Sequence, residues 1–183
     1  STKDLSEVRT IGLKGNNLDI SACRMIPGMS NAIAGDDRGN LYHLNLEKGS
    51  HQLIDCYTGR GGVLDIAFCT PNRFIVVGEN KECSFHELEG TKVNTLSNDF
   101  EDSQLIRKIT FLDENRFIAG ESFHNLRIFD VELFKVSRKI PTEGSVYTMC
   151  RLDRNRFSYG GSTSEISHYD CRSGKVVMSF PTK

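Results

Sequence analysis

Three stretches of this chain spell Asn-Arg-Phe, a short apolar run and a glycine: "NRFIVVG" from Asn72, "NRFIAG" from Asn115 and "NRFSYGG" from Asn155. A looser copy, "NAIAG", starts at Asn31. The closing glycines, Gly35, Gly78, Gly120 and Gly160, are separated by 43, 42 and 40 residues. Repetition at this period restricts the chain to a few repeat architectures, in which each unit buries its apolar faces only against its neighbours. Some of those architectures are helical arrays and others are built of strands, so the composition of the unit decides.

Ahead of each glycine lies a short apolar run: "ISACRMIP" from Ile20, "VLDIAFCTP" from Val63, "IRKITFLD" from Ile106 and "VYTMCRLD" from Val146. Ile20, Val63, Ile106 and Val146 align, as do Cys23, Ile66, Ile109 and Met149, then Met25, Phe68, Phe111 and Arg151. β-Branched and aromatic residues bounded by turn residues favour strands. After each glycine comes a polar turn: "DDRGN", "ENKE", "ESFHN" or "GSTSE". A third run follows ("LYHLNL", "CSFHEL", "LRIFDV", "ISHYDC"), then a fourth ("HQLIDCY", "KVNTLS", "KVSRKI", "KVVMSF"). Nothing sustains a long helical period. Each unit therefore reads as four short strands joined by hairpins. Such sheets bury both faces when stacked radially, so the expected fold is an all-β propeller of four-stranded antiparallel blades.

Several residue-level expectations follow. The four glycines should occupy equivalent places in the four sheets. Ile66, Phe68, Ile109, Phe111, Val146 and Met149 should be buried between blades. "NRF" should form the hairpin between first and second strands, with Phe74, Phe117 and Phe157 filling one inter-blade layer. Arg73, Arg116 and Arg156 should point to solvent.

These residues resemble the WD-repeat family. Its first-strand pattern, V-x-x-V-x-F-S-P, is nearly matched by "VLDIAFCTP" through Val63, Ile66, Phe68 and Pro71, and more loosely by "ISACRMIP" ending at Pro27. The family places an aromatic-Asp dipeptide so that its Asp stands ten residues after the glycine. "FD" at Phe129, "YD" at Tyr169 and "LN" at Leu44 keep that spacing, whereas "HE" at His86 follows Gly78 one residue early. The chain has no Trp and no Gly-His opening any repeat, so the family's Asp-His-Ser-Trp network has no counterpart. The resemblance runs from about Ile20 to Phe180. It implies blades near 18–58, 62–97, 105–141 and 145–181, with 6–13 ("SEVRTIGL") as the outer strand of a preceding or closing blade. Family rings usually hold seven or eight blades, so the expectation is a segment of a larger ring. Pairing of two chains and a tight four-bladed ring are the alternatives.

The 183 residues, 38% hydrophobic and 26% charged, suffice for one globular domain with a core. A net charge of -1 with scattered basic residues argues against nucleic acid as a partner. No apolar run reaches the roughly 20 residues of a membrane helix. The six cysteines form no Cys-x-x-Cys and read as buried, reduced thiols of an intracellular protein, in cytoplasm or nucleus. No nucleophile elbow or phosphate loop occurs. His43, His86 and His168 read as packing residues. No catalytic residue, metal site or cofactor is expected.

What remains is recognition of other proteins by loops held on a rigid scaffold. The resemblance implies partner surfaces in the inter-blade loops and the turns between second and third strands. The candidates are Asp36, Asp37 and Arg38 in "DDRGN", Arg60 in the glycine-rich loop "GRGG", Phe100 and Glu101 in the acidic loop "NDFEDS", and Phe123 and His124 in "ESFHN". The expected role is a scaffold or adaptor within a complex. The alternative is a peptide or modified-residue reader with a pocket at the propeller axis.

Overall fold

The computed structural model describes residues 11–12, 19–56, 61–88, 92–95, 105–133 and 135–182. Among the described residues sixteen strands form four antiparallel sheets of four, each laid down hairpin by hairpin. The first holds β1 (Ile20–Met25), β2 (Asn31–Asp36), β3 (Asn40–Asn45) and β4 (Ser50–Cys56). The second holds β5 (Val63–Thr70), β6 (Arg73–Gly78), β7 (Cys83–Glu87) and β8 (Lys92–Thr95). The third holds β9 (Ile106–Asp113), β10 (Arg116–Glu121), β11 (Asn125–Asp130) and β12 (Lys135–Pro141). The fourth holds β13 (Val146–Arg151), β14 (Arg156–Gly161), β15 (Glu165–Asp170) and β16 (Lys175–Pro181). No helix occurs among the described residues.

The Asn-Arg-Phe motif is the first hairpin of its blade. In two blades an aspartate starts the turn: Asp113 and Asp153 accept the backbone N–H of Asn115 (3.0 Å) and Asn155 (2.8 Å). Such side-chain bonds to the backbone two residues on favour a turn over a continued strand. The carbonyls of Asn72, Asn115 and Asn155 then accept the N–H just beyond the third strand, from Leu88, Val131 and Cys171, at 2.8–2.9 Å. The motif thus locks three strands together. Its phenylalanine starts the second strand fully buried. Each ring meets a third-strand partner: Phe74 on His86 at 5.3 Å, Phe117 on Phe129 at 4.7 Å and Phe157 on Tyr169 at 5.3 Å. His86 is therefore a packing residue, as its place in the repeat suggests.

The arginines follow the expectation only in part. Arg156 is exposed and pairs with Asp153 at 2.7 Å. Arg116 instead lies flat, pairing with Asp113 at 2.6 Å and donating to the Arg154 carbonyl of the next blade at 2.8 Å. Its planar fork reaches both partners at once, which ties two hairpins across the blade boundary.

Three glycines are equivalent and the fourth is not. Gly35, Gly120 and Gly160 face Leu41, Leu126 and Ile166 across their hairpins, but in the second blade Val77 takes that place, facing Cys83. Gly78 lies one residue further on. Counted from Val77, Glu87 falls ten residues away, so the second repeat keeps the common spacing. The reason is packing. A Cβ at Gly35 would sit 2.5 Å from that of Val63, and one at Gly120 would sit 2.9 Å from a Val146 methyl. Glycine here admits the first side chain of the next inner strand. In the second blade Val77 fills the layer itself, in one cluster with Ile106.

Three apolar clusters form the core, one between each pair of successive sheets. Ile66, Ile109, Phe111, Val146 and Met149 are buried in them as expected. Phe68 is not: it is half-buried, one face against Phe74 at 5.3 Å and the other toward the cleft among the inner strands. Asp65 of β5 ties those inner strands together. It is 3% exposed and accepts from Arg24 of β1 (3.2 Å), Lys108 of β9 (2.9 Å) and the Ile109 N–H (2.9 Å).

Packing runs from first to second, second to third and third to fourth sheet. The outer face of the fourth sheet therefore shows what the inner faces hide. Leu126 and Ile140 of the third sheet are buried, whereas their counterparts Ile166 and Phe180 are 41% and 45% exposed. At the other end Ile20, the counterpart of Val63, is 44% exposed. The same geometry corrects the reading of the cysteines. Cys83 and Cys171 are buried, but Cys23 and Cys150 lie exposed on the outer faces of the first and fourth sheets.

Candidate interaction surface

The turns between second and third strands gather at one end of the blades. In the first blade Asp36 is fully buried. Its carboxylate accepts the N–H groups of Arg38 (2.9 Å) and Asn40 (2.8 Å), the Asn40 amide (2.7 Å) and the Tyr42 hydroxyl (3.0 Å). Asp36 therefore shapes the turn, and the exposed tip it presents is Asp37 and Arg38. The Asp37 backbone lies against Gly62, where a Cβ would come within 3.0 Å, so the tip rests on the next blade's entry.

In the third blade the turn presents Phe123 and His124, both exposed. Phe123 is 57% exposed and does not fold back over its blade. His124, the next residue, adopts φ 53°, a left-handed conformation uncommon outside Gly, Asn, Asp and His. The turn is braced by Asn125, whose amide donates to the Phe123 carbonyl at 3.0 Å, and by the Thr142 N–H, which donates to the His124 carbonyl at 2.9 Å. Asp37 and Arg38 share this end with Phe123 and His124 but belong to the first and third blades, with the turn of the second between them. Arg60, Phe100 and Glu101 lie outside the described residues.

One feature of this end was not anticipated. Beneath the Phe123 turn lies a buried ion pair, Glu121 Oε1 to Arg127 Nε at 2.5 Å, with the side chains 0% and 4% exposed. Burial pushes the Glu121 carboxyl above its ordinary value, and the charges of Arg127 and Lys139 pull against that shift. The pair occupies the register held by Asp36 and Tyr42 in the first blade. The spacing of six residues from acid to partner is a signal legible in the sequence in both copies. At the opposite end, beside the hairpins of first and second strands, all four inner strands line an axial concavity of about 390 Å³, among them Arg24, Phe68, Phe111 and Arg151. Among the described residues no group of three His, Cys, Asp or Glu side chains could hold a metal ion, and no helix is long and apolar enough to cross a membrane.

The turn carboxylates make a pH prediction. Burial alone would raise Asp36, but the donors from Asn40, Arg38 and Tyr42 outweigh it and hold the carboxyl low. At Asp113 burial again opposes, and Arg116 with the Asn115 N–H outweighs it. The Asn155 N–H and Arg156 lower Asp153, and Arg172 brings Asp170 to about 2. Depressed folded values mean stability that is complete above the ordinary 3.8 and lost as pH falls through the folded values. Glu121, shifted upward, opposes this, one carboxylate against four. Thermal midpoints should be flat above about pH 5 and fall steeply below about pH 4, and Asp36→Asn should blunt the fall. A midpoint that rises on acidification would contradict the assignment.

No protein-family model matches the sequence, and no curated protein matches it. The solved structures do offer a match. The chain is similar to the WD40 β-propeller domain of Doa1, with a TM-score of 0.70 and 16% identity over 83% of this chain. It spans 50% of the length of that chain. At this identity the likeness speaks for the fold alone, and it agrees with the four-stranded antiparallel blades. The chain has the WD40 β-propeller fold, represented by four antiparallel blades.

Proposed function

We propose that this chain is a non-catalytic scaffold that binds a partner protein through the turns between second and third strands, as a subunit or adaptor of an intracellular complex. The WD40 fold serves generally as a protein-interaction scaffold, and the observation that carries the reading here is Phe123. A large apolar ring is held out from a polar turn on a rigid blade, the arrangement of a binding hot spot. His124 stands beside it on the same turn, Asp37 and Arg38 present a second polar tip on the first blade, and Arg60, Phe100 and Glu101, candidates from the sequence alone, are proposed to contribute as well. Ring completion belongs to the same reading: the exposed Ile166 and Phe180 invite cover by further blades or by a second copy.

The test is capture of partners from cells by the full chain, followed by affinity measurement with the captured protein. Phe123→Ala should weaken binding by about 2 kcal/mol, roughly 30-fold. Phe100→Ala, tested in parallel, should weaken it similarly. If both leave affinity intact while substitution at a strand edge abolishes it, the surface lies elsewhere.

A further inference from the structure

Beside the Phe123 turn, the segment joining the third and fourth blades arches over the outer half of the fourth and leaves a cleft of about 300 Å³. That is the lower end of the range for ligand pockets. Tyr159, Ser167 and Ser179 line it, the two serine hydroxyls 3.2 Å apart, and among the described residues Glu143 and Glu165 are the only charged ones in its lining. Burial pushes up the Tyr159 phenol, its hydrogen bond with Ser167 pulls the other way, and the nearby charges of Glu143 and Glu165 add smaller upward contributions. The cleft is polar, acidic and bordered by an aromatic ring.

The third blade shows what chemistry suits this place. The pair Tyr159 and Ser167 matches Ala119 and Arg127 in register, and Gly161 matches Glu121. In the third blade an arginine of the chain itself fills the position and meets a carboxylate. In the fourth blade serine replaces the arginine. No acid can stand at Gly161, because a Cβ there would lie 1.6 Å from the Ser145 carbonyl oxygen. The negative charge comes instead from Glu143 on the arching segment and Glu165 on β15. The fourth blade thus keeps the acidic side of the pair and lacks the cation.

We propose that this cleft receives an arginine side chain from a peptide segment of the partner, its guanidinium between Glu143 and Glu165 and beside the Tyr159 ring. Bidentate pairing with carboxylates and stacking on an aromatic face are what distinguish arginine from other cations. The inference rests on the scaffold reading. It also joins the two surfaces: the Thr142 N–H donates to the His124 carbonyl at 2.9 Å, and the Ser145 hydroxyl donates to the Ser122 carbonyl. One segment can therefore set an apolar residue on Phe123 and an arginine in the cleft.

The probe is a capped Gly-Arg-Gly tripeptide, with the neutral isostere Gly-citrulline-Gly as control, titrated into the full chain and followed by backbone amide NMR shifts. Saturable shifts are expected at residues 141–146 and 161–167, with the citrulline peptide at least about tenfold weaker. Glu143→Gln with Glu165→Gln should remove the preference for arginine while leaving the melting temperature unchanged. Equal binding of both peptides, shifts confined to other blades, or no saturable shift would overturn the proposal. Phe123→Ala separates this result from the broader reading, since the tripeptide is too short to need that ring. If Phe123→Ala abolishes partner capture while the tripeptide fails to bind, the scaffold reading stands and the arginine site falls. If the tripeptide binds and capture ignores Phe123, the arginine site stands and the Phe123 surface falls.

Discussion

Replacing Phe117 by alanine should destabilise the fold by about 3–5 kcal/mol, the cost of emptying a fully buried aromatic site. Phe117 is 0% exposed and sits where two sheets meet. Its ring stacks on Phe129 at 4.7 Å with planes 4° apart, meets Phe85 of the preceding blade edge-on at 5.8 Å, and touches Phe111 at 5.9 Å. Strands on both sides hold the cavity open, so little collapse can offset the loss. Phe111→Ala, at a site 6% exposed, should cost nearly as much. Phe68→Ala should cost clearly less, because that ring already faces the axial cleft. Urea melts followed by circular dichroism measure all three, with the midpoint shifting at constant slope. A Phe117→Ala loss below about 1 kcal/mol, or one no larger than that of Phe68→Ala, would contradict the packing described.

The second large effect concerns charge. Arg127→Met should cost about 3–5 kcal/mol, because Glu121 would remain in the interior without its closest counter-charge. The double variant, Glu121→Leu with Arg127→Met, should recover most of the loss, since replacing both members of a buried pair by apolar groups is often neutral. The comparison separates a penalty for stranded charge from a loss of volume. A packing defect would leave the double variant as unstable as the single one. The single variant should also be less destabilised at low pH, where Glu121 is neutral, because its carboxyl is already shifted upward by burial. Equal destabilisation at pH 4 and pH 8 would argue against the ion pair as the cause.

Much of the architecture was legible because propeller blades are local. Each hairpin is written within a few residues, and Asn-Arg-Phe carries its own turn chemistry and its own buried ring. The period and the strand composition therefore led to the blades without any knowledge of distant contacts. Fold recognition by resemblance added the aromatic-Asp register, and the ring pairs at Phe129 and Tyr169 follow from it. The recognition surface was half legible: a phenylalanine in a polar turn stands out in sequence, but its direction does not. Phe123 is 57% exposed in the structure, and nothing in "ESFHN" distinguishes that from a ring folded back.

The sequence by itself determined the number of repeats, the strand order within each and the layer of buried phenylalanines, since these depend on neighbours in the chain. Only the tertiary structure decided what happens where blades touch. It moved the socket position of the second blade from Gly78 to Val77, because the opposing side chain, Ile106, comes from the next sheet. It exposed Cys23 and Cys150, because burial of a strand face requires a second face against it. It drew Arg116 onto the neighbouring hairpin and set Asp65 between Arg24 and Lys108, 41 and 43 residues away in the chain. It also paired Glu121 with Arg127 in one blade while leaving the matching place in the next as an acidic cleft. Apart from the Glu121–Arg127 pair, which lies within one hairpin, these turn on contacts between sheets, and repeat spacing carries the pattern of one sheet but not the shape of the next.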